Sequence, residues 1–257
     1  MTYCVGILVR AGLVMISDTR TNSGVDNVNT FRKLYLFEQP GEAAMALAGA
    51  GDLSVIQSIL SMVTEGFPNP ETGEVERLLD TVSMFKAAQL VGRAMRETSR
   101  AAQQNGEGGL SDTQILLGGQ RKGRRLRLFM IYPAGNFIEA SDDTPFLQIG
   151  EHKYGKPILD RAVTFETDLQ SALKLGLISM DSTLRSNLGV GLPIDLAVLP
   201  RDTQRVELSH RIEAGDPYFE DLRQRWSEAL RATHQALPKP PYEGIAESVE
   251  LVPARRR

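Results

Sequence analysis

Cysteine is nearly absent from this chain: Cys4 is the only one among 257 residues. No internal disulfide can form, and no cysteine-based zinc site can be assembled. Within the apolar stretch YCVGILV, Cys4 reads as a small core residue rather than a nucleophile. Histidine is scarce too, with only His152, His210 and His234, and nothing in their surroundings signals a Ser-His-Asp arrangement. The chain lacks HExxH, GxSxG, Walker A and GxGxxG patterns, so zinc-peptidase, α/β-hydrolase, P-loop and dinucleotide-binding readings have no support. No run approaches the roughly 18 apolar residues of a membrane span. The start has no basic region followed by a hydrophobic segment and a small-residue cleavage site. Twenty-nine Lys and Arg against 32 Asp and Glu leave a net charge of -3, which gives no global case for nucleic acid or an anionic membrane as a partner. The basic run RKGRRLR (121–127) reads as a solvated turn between strands. These absences lead us to expect a cytoplasmic protein of a reducing compartment, with no metal or other cofactor.

What the chain does have is an ordinary folded-protein balance, 42% hydrophobic and 24% charged. Apolar strand runs occupy 3–9 and 13–17, separated by Arg10-Ala11-Gly12 as a short hairpin. A polar Gly/Asn-rich stretch, TNSGVDNVNT, reads as a loop. KLYLF (33–37) and AAMALAG (43–49) flank a Pro-Gly turn and predict a second hairpin. Helical spacing then predicts a helix from Asp52 to Glu65 and a long one from about Val75 to Gln104. Four strand signals follow at TQILLGG, RLRLFMIY, NFIEA and PFLQIG. Helices are expected at 154–162 and 168–182, strands at 194–199 and 205–210, and an amphipathic helix at 219–237. The order of strands, helices, strands, helices, strands and helix lacks βαβ alternation. It fits an α+β protein of two antiparallel sheets with helices grouped outside them. We expect one domain over 1–237 and a Pro-rich extended tail over 238–257.

Polar residues interrupt the strand pattern at informative places. Asp18 closes the second strand and Lys33 opens the third. If strands one, two and three are neighbours, hairpin geometry brings Thr2, Asp18 and Lys33 to one end of a sheet. Taken alone, Asp18 also fits a turn cap and Lys33 a charged guard on an edge strand. Together they have a chemical logic. A threonine hydroxyl needs a base, and a free α-amino group, ordinarily titrating near 7.7–8.0, is available on the same residue if Met1 is removed. A lysine beside the oxygen favours a developing alkoxide, and an aspartate holds that lysine oriented.

The spacing of Thr2, SDTRT and FRK, followed by LAGAGD before a helix, resembles the β-subunits of proteasomes, which are N-terminal nucleophile (Ntn) hydrolases. The closest resemblance is to the bacterial proteasome homologues known as Anbu (ancestral β-subunit). It is carried by MTYCVGI, SDTRTNSGVDN, FRKLY, ALAGAGDLS, IGEHKYGKPILDR and MDSTLRSNLGVGLPIDLAV, which run across residues 1 to about 200. The resemblance implies a four-layer αββα sandwich and a homo-oligomer, as a ring or a helical stack. It implies Thr2 as nucleophile, Asp18 and Lys33 as the supporting pair, and Gly49 as the backbone donor of an oxyanion hole. By the same resemblance, Thr21 and Asn22 pair with an extended peptide or amide substrate, and Leu47 sets the floor of an apolar specificity pocket.

Two departures stand out. Glu151 occupies the turn where the family carries a serine, and Ser186 or Asn187 stands where it carries an aspartate, so the surroundings of the amine are altered. No propeptide is expected; removal of Met1 by an ordinary methionine aminopeptidase would expose Thr2. Three activities fit these residues: a threonine-type peptidase, an Ntn amidase for a small amide or isopeptide, and a silent assembly protein. Any unfoldase ATPase would be a separate partner.

Overall fold

The computed structural model describes residues 1–23, 27–70, 72–104 and 112–242. The chain opens with β1 (Tyr3–Val9) and β2 (Gly12–Asp18), the expected hairpin. The polar stretch expected as a loop instead forms a small hairpin, β3 (Arg20–Ser23) and β4 (Asn27–Thr30), paired with each other and with neither large sheet. Its backbone groups satisfy one another, so this ribbon needs no apolar pattern to form. β5 (Leu34–Gln39) and β6 (Ala43–Ala50) follow as an antiparallel pair. α1 (Leu53–Glu65) is capped by Asp52, whose side chain accepts from the Ser54 and Val55 N–H groups.

The next stretch departs from expectation. In place of a helix from Val75, the chain forms two short strands, β7 (Phe67–Pro68) and β8 (Val75–Glu76), and a 3-10 turn at Leu78–Asp80. The helix itself, α2, runs Met84–Gln104. Thr81, Val82 and Ser83 separate the two; Ser83 Oγ accepts from the Lys86 N–H at 3.2 Å, an N-terminal cap that fixes the later start. Met84, Phe85, Ala88 and Val91 do not all fit one core-facing stripe of this helix: Met84, Ala88 and Val91 are buried, while Phe85 is exposed, as is Val82 just ahead of the helix.

β9 (Gln114–Arg121), β10 (Arg127–Ile131) and β11 (Phe137–Glu139) follow in antiparallel succession, and β12 (Phe146–Gly150) then pairs antiparallel with β1. The basic run forms the turn between β9 and β10. Then come α3 (Lys156–Ala162), α4 (Leu169–Ser186), β13 (Ile194–Pro200), β14 (Leu208–Ile212) and α5 (Pro217–Ala236). Tyr242 is exposed; Ile245, Val249 and Leu251 of the tail lie outside the described residues.

Two five-stranded sheets result, ordered β12-β1-β2-β13-β14 and β11-β10-β9-β6-β5. Every residue of β1 and β2 is buried, which explains why these strands read as continuous apolar runs rather than alternating ones: both faces are covered. Tyr3, Val5, Ile7 and Val9 pack with Leu159 of α3 and Leu177 and Met180 of α4. Cys4, Leu8, Leu13 and Met15 face the other way, towards Ala44, Ala46, Ala48 and Leu128 of the second sheet. That sheet turns Met45, Leu47 and Leu117 towards α1 and α2. Alanines dominate the inter-sheet face of β6, so the two sheets approach closely there. No helix of the described residues is long and apolar enough to cross a membrane.

Candidate active site

Asp18, at the end of β2, stands next to Tyr3 in the β1–β2 ladder, and the Tyr3 N–H donates to its Oδ1 at 3.1 Å. Its Oδ2 accepts from the N–H groups of Arg20 at 3.2 Å and Gly191 at 3.3 Å. Lys33, one residue ahead of β5, completes the set: its Nζ donates to Thr2 Oγ1 at 2.8 Å, to Asp18 Oδ1 at 3.0 Å and to the Arg20 carbonyl at 2.6 Å. An ammonium has three protons, and each meets an acceptor here. Asp18 is fully buried and Lys33 only 4% exposed. Burial pushes the Asp18 carboxyl above its ordinary value, while Lys33 and the backbone N–H groups of Tyr3 and Gly191 pull against that.

The three residues expected to converge do so, but by a different route. β5 belongs to the second sheet, not beside β2. Lys33 therefore reaches Thr2 and Asp18 across the inter-sheet space, and the premise of three neighbouring strands is corrected: the site lies where the ends of two sheets meet.

Met1 is attached in this chain. Thr2 Oγ1 donates to the Met1 carbonyl at 2.9 Å, and the Met1 side chain rests against Gly189. The nitrogen of Thr2 is thus a peptide amide here, and loss of Met1 converts it to an amine within reach of its own hydroxyl. Two clefts flank the pair. One of about 440 Å³ is lined by Thr2, Thr21, Phe31, Lys33, Gly49, Gly51, Leu53 and Ile56. The other, of about 500 Å³, is lined by Met1, Thr2, Gly51, Asp112, Gln114, Pro133 and Glu151, among others. Met1 borders both.

The remaining expected residues fall in different places. Thr21 lines the first cleft; it and Asn22 lie on β3, opposite Asn29 and Val28 of β4. Leu47 is fully buried in the core beneath the helices. It does not line the cleft, whose apolar wall is Phe31, Leu53 and Ile56, because the side chain of Ile56 covers the position of Gly49. The Gly49 N–H donates to the Lys33 carbonyl at 3.1 Å. Glu151 donates its N–H to the Thr2 carbonyl at 2.8 Å, and its carboxylate lies 3.6 Å from Lys153 Nζ. Asn187 caps α4 and its Oδ1 accepts from the Gly189 N–H at 2.8 Å, shaping the turn that meets Met1. Ser186 is exposed in the last turn of α4.

Sequence reasoning missed Gly191. It holds Asp18 through its N–H, and a Cβ added there would fall 2.2 Å from Arg20 Nε, so the Arg20 side chain crosses it closely. The glycines of NLGVGLP just ahead of β13 were the available signal. Among the described residues no group of three or more His, Cys, Asp or Glu could hold a metal ion.

No protein-family profile and no curated protein matches the chain. Solved structures do. Anbu from Yersinia bercovieri is 46% identical over 96% of this chain and 100% of that one, with a TM-score of 0.83. Anbu from Hyphomicrobium sp. strain MC1 is 47% identical over 93% and 100%, with a TM-score of 0.84. A helical assembly of the Anbu complex from Pseudomonas aeruginosa is 42% identical over 93% and 98%, with a TM-score of 0.85. Identity at this level over nearly the full length of both partners carries the conclusion that this chain belongs to the Anbu family of ancestral, proteasome-like β-subunits.

Proposed function

We propose that this protein is an N-terminal-threonine hydrolase that cleaves amide bonds of peptides once Met1 has been removed. The observation that carries the reading is the buried contact of Lys33 Nζ with both Thr2 Oγ1 and Asp18 Oδ1. The freed α-amine of Thr2 takes the hydroxyl proton, directly or through a water, and Oγ1 attacks the substrate carbonyl carbon. Lys33 stabilises the charge that builds on Oγ1 during proton removal, and Asp18 fixes the lysine in place. The tetrahedral intermediate collapses as the C–N bond breaks, with the proton passing to the leaving amine. Water then hydrolyses the Thr2 ester and restores the site. Thr21 and Asn22 hold the substrate backbone, and Phe31, Leu53 and Ile56 receive an apolar side chain.

The fold we assign is the four-layer αββα sandwich of Ntn hydrolases over residues 1–237. It is supported by a hydrophobic core between the sheets and one between each sheet and its helices. We further propose a homo-oligomer, supported by the helical assembly formed by the Pseudomonas aeruginosa relative. The test is a panel of peptide and small-amide substrates with the Thr2→Ala variant as control. Turnover of apolar-P1 peptides that Thr2→Ala abolishes supports the reading. Turnover of small amides alone makes it an amidase, and no turnover leaves an assembly protein.

A further inference from the structure

Once Met1 is lost, Thr2 is a chain end with a single covalent neighbour, Tyr3, and chain ends fray unless they are tied down. The reaction needs Thr2 Oγ1 to stay on Lys33 Nζ, 2.8 Å away, because misplacing a reacting atom by about 1 Å can cost about 10²-fold in rate. The backbone supplies part of the hold. The Glu151 N–H donates to the Thr2 carbonyl at 2.8 Å, and the Tyr3 N–H donates to Asp18 Oδ1 at 3.1 Å.

The side chain of Tyr3 adds a second, directional hold. On the helix-facing side of β1, Val5, Ile7 and Val9 are plain aliphatics, and Tyr3 alone carries a polar tip. Its ring is fully buried. Gln148 Nε2 of β12 donates to Tyr3 Oη, which leaves the phenol's own proton for Ser179 Oγ of α4 at 2.6 Å. Ser179 is fully buried too. Gly155, at the start of α3, closes over the pair: a Cβ there would fall 2.2 Å from Ser179 Oγ and 2.8 Å from Tyr3 Oη, so only glycine fits. Burial pushes the Tyr3 phenol above its ordinary value, so it keeps its proton throughout the range in which an α-amine titrates. An aliphatic contact tolerates a small slide of the strand, whereas directional hydrogen bonds joining β1 to both β12 and α4 do not.

Resting on the hydrolase reading above, we propose that Tyr3 is a positioning residue for the nucleophile: its hydroxyl, bonded to Gln148 and Ser179 beneath Gly155, fixes β1 along its own axis and so holds Thr2 Oγ1 against Lys33 after Met1 has gone.

The test uses the full chain beginning at Thr2, verified by intact mass, with a peptide β-lactone as the electrophile. The inactivation rate kinact and the reversible constant KI are measured from pH 6 to 9 for wild type, Tyr3→Phe, Ser179→Ala, their double variant and Ile7→Val, which opens a small cavity on the same face of β1. Tyr3→Phe should lower kinact by about 10- to 100-fold, with KI and the pH midpoint of labelling unmoved, since neither the clefts nor the amine is altered. Ser179→Ala should act in the same direction, and the double variant should be no slower than Tyr3→Phe alone, as groups acting as one unit behave. Ile7→Val should lower the melting temperature and leave kinact at the wild-type rate. Unchanged kinact in Tyr3→Phe, or a loss of kinact in Ile7→Val in proportion to its loss of stability, overturns the positioning role and leaves the hydrolase reading standing. A wild-type chain that the β-lactone does not label overturns both.

Discussion

Lys33 Nζ stands 3.0 Å from Asp18 Oδ1, and both side chains are almost wholly shielded from water, at 5% and 0% exposure. The two residues come from different sheets, so this ion pair ties the sheets together beneath Thr2. Its removal therefore touches stability as well as chemistry. Reading Lys33 as a strand-end residue from the sequence predicts that Lys33→Ala is tolerated by the fold; the buried pair reverses that expectation. Lys33→Ala strands the Asp18 carboxylate and should cost about 3–5 kcal/mol. The double variant Lys33→Ala/Asp18→Asn should recover a large part of that loss while remaining unlabelled at Thr2. Urea unfolding at fixed protein concentration measures both; equal stability of wild type and Lys33→Ala would contradict the coupling.

Cys4 sits in β1 with its Sγ 3.3 Å from Ser17 Oγ, and burial pushes its thiol up to about 12. At pH 8 the thiolate fraction is then on the order of 10⁻⁴, and the group is enclosed besides. Alkylation by iodoacetamide at pH 8 should be negligible in the native protein and complete in denaturant. Rapid native alkylation would show that the inter-sheet core opens. Because Cys4 is the only cysteine, its inertness also removes the main competing site for electrophiles aimed at Thr2.

Glu151 borders the cleft beside Met1 and Thr2. Once Thr2 carries a free amine, a nearby carboxylate favours the ammonium form, which is useless as a base. Labelling should rise with pH as the amine deprotonates, and Glu151→Gln should move the midpoint of that rise to lower pH. The measurement is labelling rate from pH 6 to 9. An unmoved midpoint would confine Glu151 to its backbone contact with the Thr2 carbonyl.

Val82 just ahead of α2, Phe85 in its first turn, and Tyr218 and Leu230 on α5 are exposed. Large apolar side chains left outside on helices suit burial against neighbouring subunits. Size exclusion with light scattering at micromolar concentration should report a mass many times that of one chain, and a clean monomer would contradict the assembly.

The long strands and most helices were legible because their apolar periodicity is strong, and β1, β2 and β6 are bounded by turn residues that punctuate them clearly. The β3–β4 ribbon was not legible: its stability comes from backbone pairing, not from side-chain burial, and its residues read as loop. The late start of α2 was hidden because Leu78 is buried in the core although it lies in a 3-10 turn, so helical spacing seemed to extend backwards through it. At the site, residue identity pointed to Thr2, Asp18 and Lys33, since ionisable groups amid apolar strands stand out. Which sheet delivers Lys33 depends on pairing between distant strands, which one sequence does not encode locally. The fate of the Gly49 N–H is likewise a matter of register and not of residue type. Leu47 was assigned by its place in a motif, whereas the packing of Ile56 over Gly49 decides what the cleft contacts.

The most direct test of the central claim is intact-mass and peptide mapping of the protein after incubation with a threonine-directed electrophile such as a peptide β-lactone. The expected result is a chain that begins at Thr2 and carries one adduct on that residue, with no adduct on Thr2→Ala or on any molecule that retains Met1. An adduct on chains that keep Met1, or labelling that survives Thr2→Ala, would contradict the claim that the freed amine and hydroxyl of Thr2 are the working groups.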